Sequence, residues 1–334
     1  MTAKPRPTYS AIAKSAGVSE ATVSRVLNGD SRVNPERTAA VLKAVDQLGY
    51  RKNRAATALA SGRTGLIAVV IDDDLSIFDD PFWGTVTSGI SRVLMANHLQ
   101  TVLMVTAVNN VDGPVAHYLE SREVDGAIFF QLHKDAMVRK LAKAGLPIVI
   151  TGSPHTDADL IFVDTDNFGG GYAATKQLLN RGCKKVAIIT GDIETTAGHQ
   201  RLDGYNQVYR ELGRVPSKSM IRQGDYSYES GQVQMKHLLE SNPDVDGVFA
   251  CNDLMALGAI AAIEESGRTV PDDVAVIGFD DSIMSRTSRP QLSTVRQDIA
   301  ALGEAAAQLM IAQLNGEPVE SRIMPVELVL RESA

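Results

Sequence analysis

Residues 9–28 read Tyr9-Ser-Ala-Ile-Ala-Lys-Ser-Ala-Gly-Val-Ser-Glu-Ala-Thr-Val-Ser-Arg-Val-Leu-Asn28, and the junction Gly17-Val18-Ser19 decides how they fold. Before it, Ile12, Ala13 and Ala16 fall on one apolar stripe at helical spacing; after it, Val23, Val26 and Leu27 form another. Gly17 permits the tight turn, and the Ser19 hydroxyl is placed to cap the second helix. Two short helices joined this way make a helix-turn-helix, whose second helix normally lies in the DNA major groove. Further on, Asn34-Pro35-Glu36 opens a third helix with Val41, Val45 and Leu48 on its apolar stripe, and Gly49 stops it.

The charge is distributed to match. Residues 1–63 hold 11 Lys and Arg against 4 Asp and Glu, whereas the remainder holds 22 against 36 in a chain of formal net charge −7. A basic head on an acidic body suits a protein that touches phosphate at one end only. Solvation of an exposed face would explain the number of basic residues but not their concentration beside a helix-turn-helix.

At 334 residues and 44% hydrophobic content the chain exceeds one ordinary domain. Two cysteines, Cys183 and Cys251, support neither a disulfide framework nor a cysteine-rich metal site. The N-terminus Met-Thr-Ala-Lys-Pro-Arg-Pro lacks the apolar run of a signal peptide, and no stretch reaches the ~18 apolar residues that span a bilayer. A cytoplasmic protein without membrane association is expected.

The organisation expected is a DNA-binding head over 1–50, a linker over 51–63 and a body over 64–334. The linker is basic, alanine-rich and too short for a stable isolated helix, so it can order or melt. From Leu66 onward, apolar runs alternate with amphipathic helical stretches, which predicts α/β architecture with parallel sheets covered on both faces. Some 270 residues of this rhythm suggest two similar lobes, with a crossover near Ile161-Phe162-Val163.

Polar residues follow the apolar runs directly: Asp72-Asp73-Asp74, then Gln131 and His133, then Asn252-Asp253 and Asp280-Asp281. Carboxyl ends of parallel strands face the ligand crevice, and carboxylates accept hydrogen bonds from hydroxyls, so the pattern predicts a cleft for hydroxyl-rich molecules. Phe82, Trp83 and Tyr226 are available to stack on a sugar ring. Taken singly each signal is weak. The Asp72 run serves equally as a helix cap, Trp83 and Phe130 as core, and His133 as a loop residue. No phosphate-binding Gly-x-x-x-x-Gly-Lys loop, His-Glu-x-x-His pair or Gly-x-Ser-x-Gly elbow is present, and Gly169-Gly170-Gly171 lacks dinucleotide-fingerprint spacing. No enzyme activity, cofactor or metal is expected. A sugar receptor without DNA function would share the body but not the basic head.

The chain resembles the LacI-type (lactose/galactose-repressor) family of bacterial transcription regulators over essentially its full length. Ala16-Gly-Val-Ser-Glu-Ala-Thr-Val-Ser-Arg-Val-Leu-Asn28 and Leu48-Gly-Tyr-Arg-Lys-Asn-Arg54 carry the resemblance in the head. Arg201-Leu-Asp-Gly-Tyr205, Asn252-Asp-Leu-Met-Ala-Leu-Gly258 and Val276-Ile-Gly-Phe-Asp-Asp281 carry it in the body. It implies a small all-α helix-turn-helix head on a two-lobed, periplasmic-binding-protein-like α/β effector domain. It also implies a homodimer on a pseudo-palindromic duplex operator, with a small-molecule effector, a sugar or glycoside.

By this resemblance Glu20, Ala21 and Arg25 read bases, with Ser19 at the helix start. Arg25 suits a bidentate contact to guanine; Glu20 suits either cytosine N4 or the helix dipole. Thr22, Ser24, Asn28 and Tyr50 suit phosphate. Asn53 and Arg54 open a hinge helix, and Leu59 matches a leucine that wedges into the minor groove, with ordinary interface packing as its alternative. Phe82, Trp83, Arg201, Tyr226, Asn252 and Asp280 match effector-contacting positions, joined by Gln131 and His133 from the strand-end pattern. Many relatives carry an Asp-Arg pair where this chain has Gly152-Ser153, so one expected polar contact is missing. No leucine-heptad tail follows the last strand-like run, which argues against a tetramerisation helix.

Overall fold

The computed structural model describes residues 7–27, 29–50, 62–72, 80–106, 113–130, 136–154 and 159–334. Asn28, Asn53, Arg54, Leu59, Gln131 and His133 lie outside them, as do Asp73 and Asp74. Chain contacts divide the protein into two units, Met1–Thr64 and Gly65–Ala334.

The first unit holds three helices among its described residues: α1 (Tyr9–Ala16), α2 (Glu20–Leu27) and α3 (Pro35–Leu48). Thr8 caps α1 through its side chain, and Gly17 closes it at φ 66°, the left-handed conformation that the sequence assigned to a glycine there. The Ser19 hydroxyl accepts from the Thr22 amide at 3.2 Å, which starts α2. The Asn34 carboxamide oxygen accepts from the Glu36 amide at 2.8 Å, and Pro35 leads α3. Ile12, Ala13, Val23, Val26, Val41 and Ala44 form the core. One expectation fails in detail. Leu48 is 37% exposed, and Ala44 takes the buried position, because the stripe of α3 turns one residue earlier than the large side chains suggest.

The second unit is two α/β lobes. The strands are β1 (Leu66–Asp72), β2 (Gln100–Thr106), β3 (Gly126–Phe130), β4 (Ile148–Thr151), β5 (Phe162–Thr165), β6 (Val186–Thr190), β7 (Ile221–Gln223), β8 (Gly247–Ala250), β9 (Ala275–Asp280), β10 (Ser293–Gln297), β11 (Arg322–Met324) and β12 (Val326–Val329). Sheet order is β11-β5-β4-β3-β1-β2 in the first lobe and β12-β10-β9-β8-β6-β7 in the second. Every pairing is parallel except β10 with β12. Residues of β3, β4, β6, β8 and β9 are buried throughout, as strands covered on both faces must be.

The longer helices are α4 (Pro81–Ala96), α7 (Asn167–Arg181), α8 (Thr196–Glu211), α9 (Tyr228–Ser241), α10 (Asp253–Glu265) and α12 (Ile299–Leu314). Shorter ones are α5 (Pro114–Glu120), α6 (Ala136–Lys143) and α11 (Ile283–Thr287). The chain passes between lobes three times: after β5, where the apolar pattern located a crossover, after β10 into α12, and between β11 and β12. The C-terminal α12 therefore returns to the first lobe, burying Ile299, Leu302, Leu309 and Met310 there. Three helix pairs touch backbone to backbone through reciprocal glycines: Gly89 with Gly303, Gly171 with Gly204, and Gly231 with Gly258. A Cβ at any of these six would lie 2.1–2.3 Å from a carbonyl oxygen of the facing helix. Of the triple-glycine run, Gly171 thus serves helix packing and Gly170 makes room for the Phe279 ring. Among the described residues no helix is long and apolar enough to cross a membrane.

Candidate functional site

Two surfaces carry polar groups beyond what folding requires. On the head, α2 turns Val23 and Val26 into the core, which leaves Ser19, Glu20, Ala21 and Arg25 exposed. Thr22 and Ser24 flank that face half-buried, and the Ser19 and Thr22 hydroxyls share a 2.9 Å hydrogen bond. Glu20 stands in the first turn, where its charge also complements the helix dipole. Tyr50 packs its ring on Tyr9, centroids 5.8 Å apart, so part of it serves the head's core. Just beyond α2, Arg32 grips the Asp30 carboxylate with Nε at 2.9 Å and an Nη at 2.8 Å. That grip lowers the Asp30 pKa to about 2.

In the body, the carboxyl ends of both sheets open on one cavity of about 530 Å³. Phe82, Trp83, Arg201, Tyr226, Asn252 and Asp280 all line it, although they span 199 positions of sequence. Trp83 serves core and cavity together. Only 8% exposed, it stacks edge-on with Phe82 at 5.2 Å and with Phe130 at 5.6 Å. These three form an aromatic wall on the first lobe.

The second lobe contributes a polar wall. Arg201, on α8, is 6% exposed and lies 3.6 Å over the Phe279 ring. Its Nε donates to the Asn167 side-chain oxygen at 2.9 Å, and an Nη donates to the Cys251 carbonyl. Asn252 caps α10 through the Met255 amide (2.9 Å) and donates to the Tyr226 carbonyl (2.8 Å). Tyr226 holds φ 71° and fills the space above Gly191, where a Cβ would meet its ring, while its hydroxyl lies beside Gly198. Burial pushes its phenol up to about 12. Asp280 holds φ 120°, a left-handed strain that turns its carboxylate toward the cavity while Asp281 points away. Arg286, Arg296 and Arg331 converge on Asp281 and fix the turn. Burial pushes the Asp280 carboxyl well up, and the nearby Arg201 charge only partly opposes it.

Several lining residues escaped the sequence reading. Asp80 caps α4 by accepting from the Phe82 amide at 2.8 Å; the signal was an Asp directly before Pro81, a helix-start signature. Asp164, near the end of β5, accepts from the Ser153 amide (2.8 Å), the Ser153 hydroxyl (2.7 Å), the Thr165 amide (2.7 Å) and the Asn167 carboxamide (3.0 Å). The Ser153 carbonyl in turn accepts from the Thr196 hydroxyl at 2.6 Å, bridging the lobes. A continuous chain of hydrogen bonds thus runs from this bridge through Asp164 and Asn167 to Arg201. Gln297, at the second crossover, accepts from Thr165 (2.7 Å) and donates to Asp280. Such links depend on pairing between distant strands, which no local pattern announces. Among the described residues no cluster of His, Cys, Asp or Glu is placed to hold a metal ion.

A model of bacterial regulatory proteins of the lacI family matches residues 8–53, and one of a periplasmic binding protein-like domain matches residues 175–334. The HTH-type transcriptional regulator CelR of Thermobifida fusca is 37% identical over 97% of this chain and 96% of its own length. Catabolite control protein A of Priestia megaterium is 32% identical over 96% of this chain and 97% of its own. A solved complex of the transcriptional regulator CelR with cellobiose superposes with TM-score 0.78 at 36% identity, covering 98% of this chain and 100% of that one. A lac repressor dimer bound to operator and the anti-inducer ONPF superposes with TM-score 0.90 at 26% identity, covering 98% of this chain and 99% of that one. With the helix-turn-helix head and the two-lobed parallel-sheet body already described, the chain belongs to the LacI family of bacterial regulatory proteins and is a DNA-binding transcription regulator.

Proposed function

We propose that this regulator represses carbohydrate-utilisation genes, binding a pseudo-palindromic operator as a homodimer under the control of a sugar or glycoside in the interlobe cleft. The observation that carries this reading is the meeting of Phe82, Trp83, Arg201, Tyr226, Asn252 and Asp280 around one cavity. An aromatic wall facing a wall of carboxyl, amide and guanidinium groups suits a ring with an apolar face and a rim of hydroxyls. The relative solved with cellobiose makes a two-ring sugar the first effector to try.

In this reading residues 1–50 bind DNA, 51–63 form the hinge, and 64–334 bind effector and pair the subunits. Arg25 reads a base, and Glu20 and Ala21 face neighbouring ones. Ser19 stands at the start of the reading helix, Thr22, Ser24, Asn28 and Tyr50 hold phosphate, and Asn53 and Arg54 start a hinge helix whose Leu59 enters the minor groove. Gln131 and His133 join the effector contacts. Lobe closure changes how the hinges pack, so effector and operator affinities are linked by a coupling of about 1–3 kcal/mol.

The test begins with selection of an operator from a random duplex pool at low salt. Fluorescence anisotropy then measures its Kd with and without cellobiose. A palindromic consensus whose affinity cellobiose changes roughly five- to 150-fold supports the reading. No preferred sequence contradicts it.

A further inference from the structure

The charge around the cleft is one-sided. Among the described residues lining it, Asp80, Asp164, Asp225, Glu229 and Asp280 are acids and Arg201 is the one base. Arg201 gives two of its five N–H donors to Asn167 and the Cys251 carbonyl and lies over the Phe279 ring. Four helix N-termini also open on the cavity, and such ends ordinarily attract anions. Here each has one of its amides taken by its own cap. Asp80 accepts from the Phe82 amide, Thr195 from Gly198, Ser227 from Ser230 and Asn252 from Met255. The cap on α4 is itself an acid.

Burial pushes Asp80, Asp164 and Asp280 upward, so this cavity disfavours negative charge. A phosphate or carboxylate brought among them would face five acids and, among the described lining residues, one guanidinium. A hydroxyl meets no such difficulty. It donates to a carboxyl oxygen, while its ring lies against Phe82, Trp83 or Tyr226.

Resting on the reading of this cleft as a carbohydrate site, we propose that it admits uncharged polyhydroxylated effectors and turns away their phosphorylated or acidic counterparts. The selectivity comes from acids, Asp80, Asp164 and Asp280 the most buried of them, outnumbering the Arg201 guanidinium among the described lining residues.

Isothermal titration of the full-length protein near neutral pH would use a panel of neutral mono- and disaccharides including cellobiose. Each would be paired with its 6-phosphate or aldonate. The expected result is that at least one neutral member binds and its anionic partners bind on the order of 100-fold more weakly or less. Asp80→Asn keeps a capping side chain on α4 and should shrink that ratio about tenfold, since it removes one of the repelling charges. An anionic member binding as tightly as its neutral partner would overturn the proposal, and so would a panel in which no neutral member binds. Operator binding by the same sample, followed in parallel, reports on the regulator reading separately, so the two cannot fail unnoticed together.

Discussion

The reading face of the head and the cleft of the body solve recognition in opposite ways. On the head, Ser19, Glu20, Ala21 and Arg25 lie within seven residues, and one helix and its cap leave all four exposed. In the cleft, groups from Asp80 to Gln297 are placed by strand ends of two sheets and hold one another through buried hydrogen bonds. The first is a row of nearly independent contacts. The second is a network, in which removing one member leaves others buried without partners. Substitutions on the face of α2 should therefore alter DNA binding alone, and substitutions in the cleft should cost stability as well as ligand.

The sharpest separation comes from the head's core. Ile12 is fully buried, and Ile12→Ala should cost about 2–5 kcal/mol, enough to unfold so small a bundle. Trp83 is the chain's single tryptophan and belongs to the body, so its fluorescence melt should stay put while operator binding is lost. A melt that moves with the head would break the comparison. Next in size is Arg201→Ala, which strips partners from Asn167 and the Cys251 carbonyl. Titration calorimetry should show cellobiose affinity falling by about 100-fold, and the Trp83 melt should drop by several degrees. Operator affinity without effector should hold.

Arg25→Ala should lose about 1–3 kcal/mol at one base position in each half-site, read by a mutant-operator binding series, with the melt unchanged. An unchanged base preference would remove Arg25 from the reading face. A subtler test of the network is Asp164→Asn, which places a donor among four donors and should weaken cellobiose about tenfold. Exchanging both partners, Asp164→Asn with Asn167→Asp, restores one donor facing one acceptor and gives Arg201 a carboxylate. Recovery in the double variant distinguishes a broken link from general damage.

Acidity separates the two regions as well. Burial raises Asp253 from 3.8 to about 6, against the hydrogen bonds it accepts from Thr294 and Ser282. The folded body therefore keeps this proton after the unfolded chain has released its own. That contribution is complete below about 3.8 and is lost as pH rises toward 6, and Asp80, Asp164 and Asp280 shift the same way. The head's Asp30, lowered to about 2, works in reverse: its contribution is present above 3.8 and fades only at lower pH. Melts followed at Trp83 should accordingly fall as pH rises from 4 to 6, and Asp253→Asn should flatten the slope.

The same contrast explains what the sequence made legible. A turn glycine, a capping serine and two apolar stripes are local, so the head could be read from one short stretch. Strand ends followed by Asp or Asn are also local, which is why Asn252 and Asp280 stood out before any fold was known. Asp164, Asn167 and Gln297 act through partners up to 132 positions away, and the pairing of β5 with its neighbours creates those contacts. Likewise Leu48 looked like core because the stripe favours large residues, yet the closeness of α1 and α3 selects the small Ala44. Strands of three residues such as β7 and β11 are too short to show a period.

Linkage between the two regions is tested most directly on the intact protein, with its selected operator and with cellobiose held at a concentration that raises the Trp83 melt. Operator Kd with and without the sugar should differ by the same factor as cellobiose Kd with and without operator, because one coupling free energy governs both. An operator Kd that stays the same while the sugar is demonstrably bound would contradict the account.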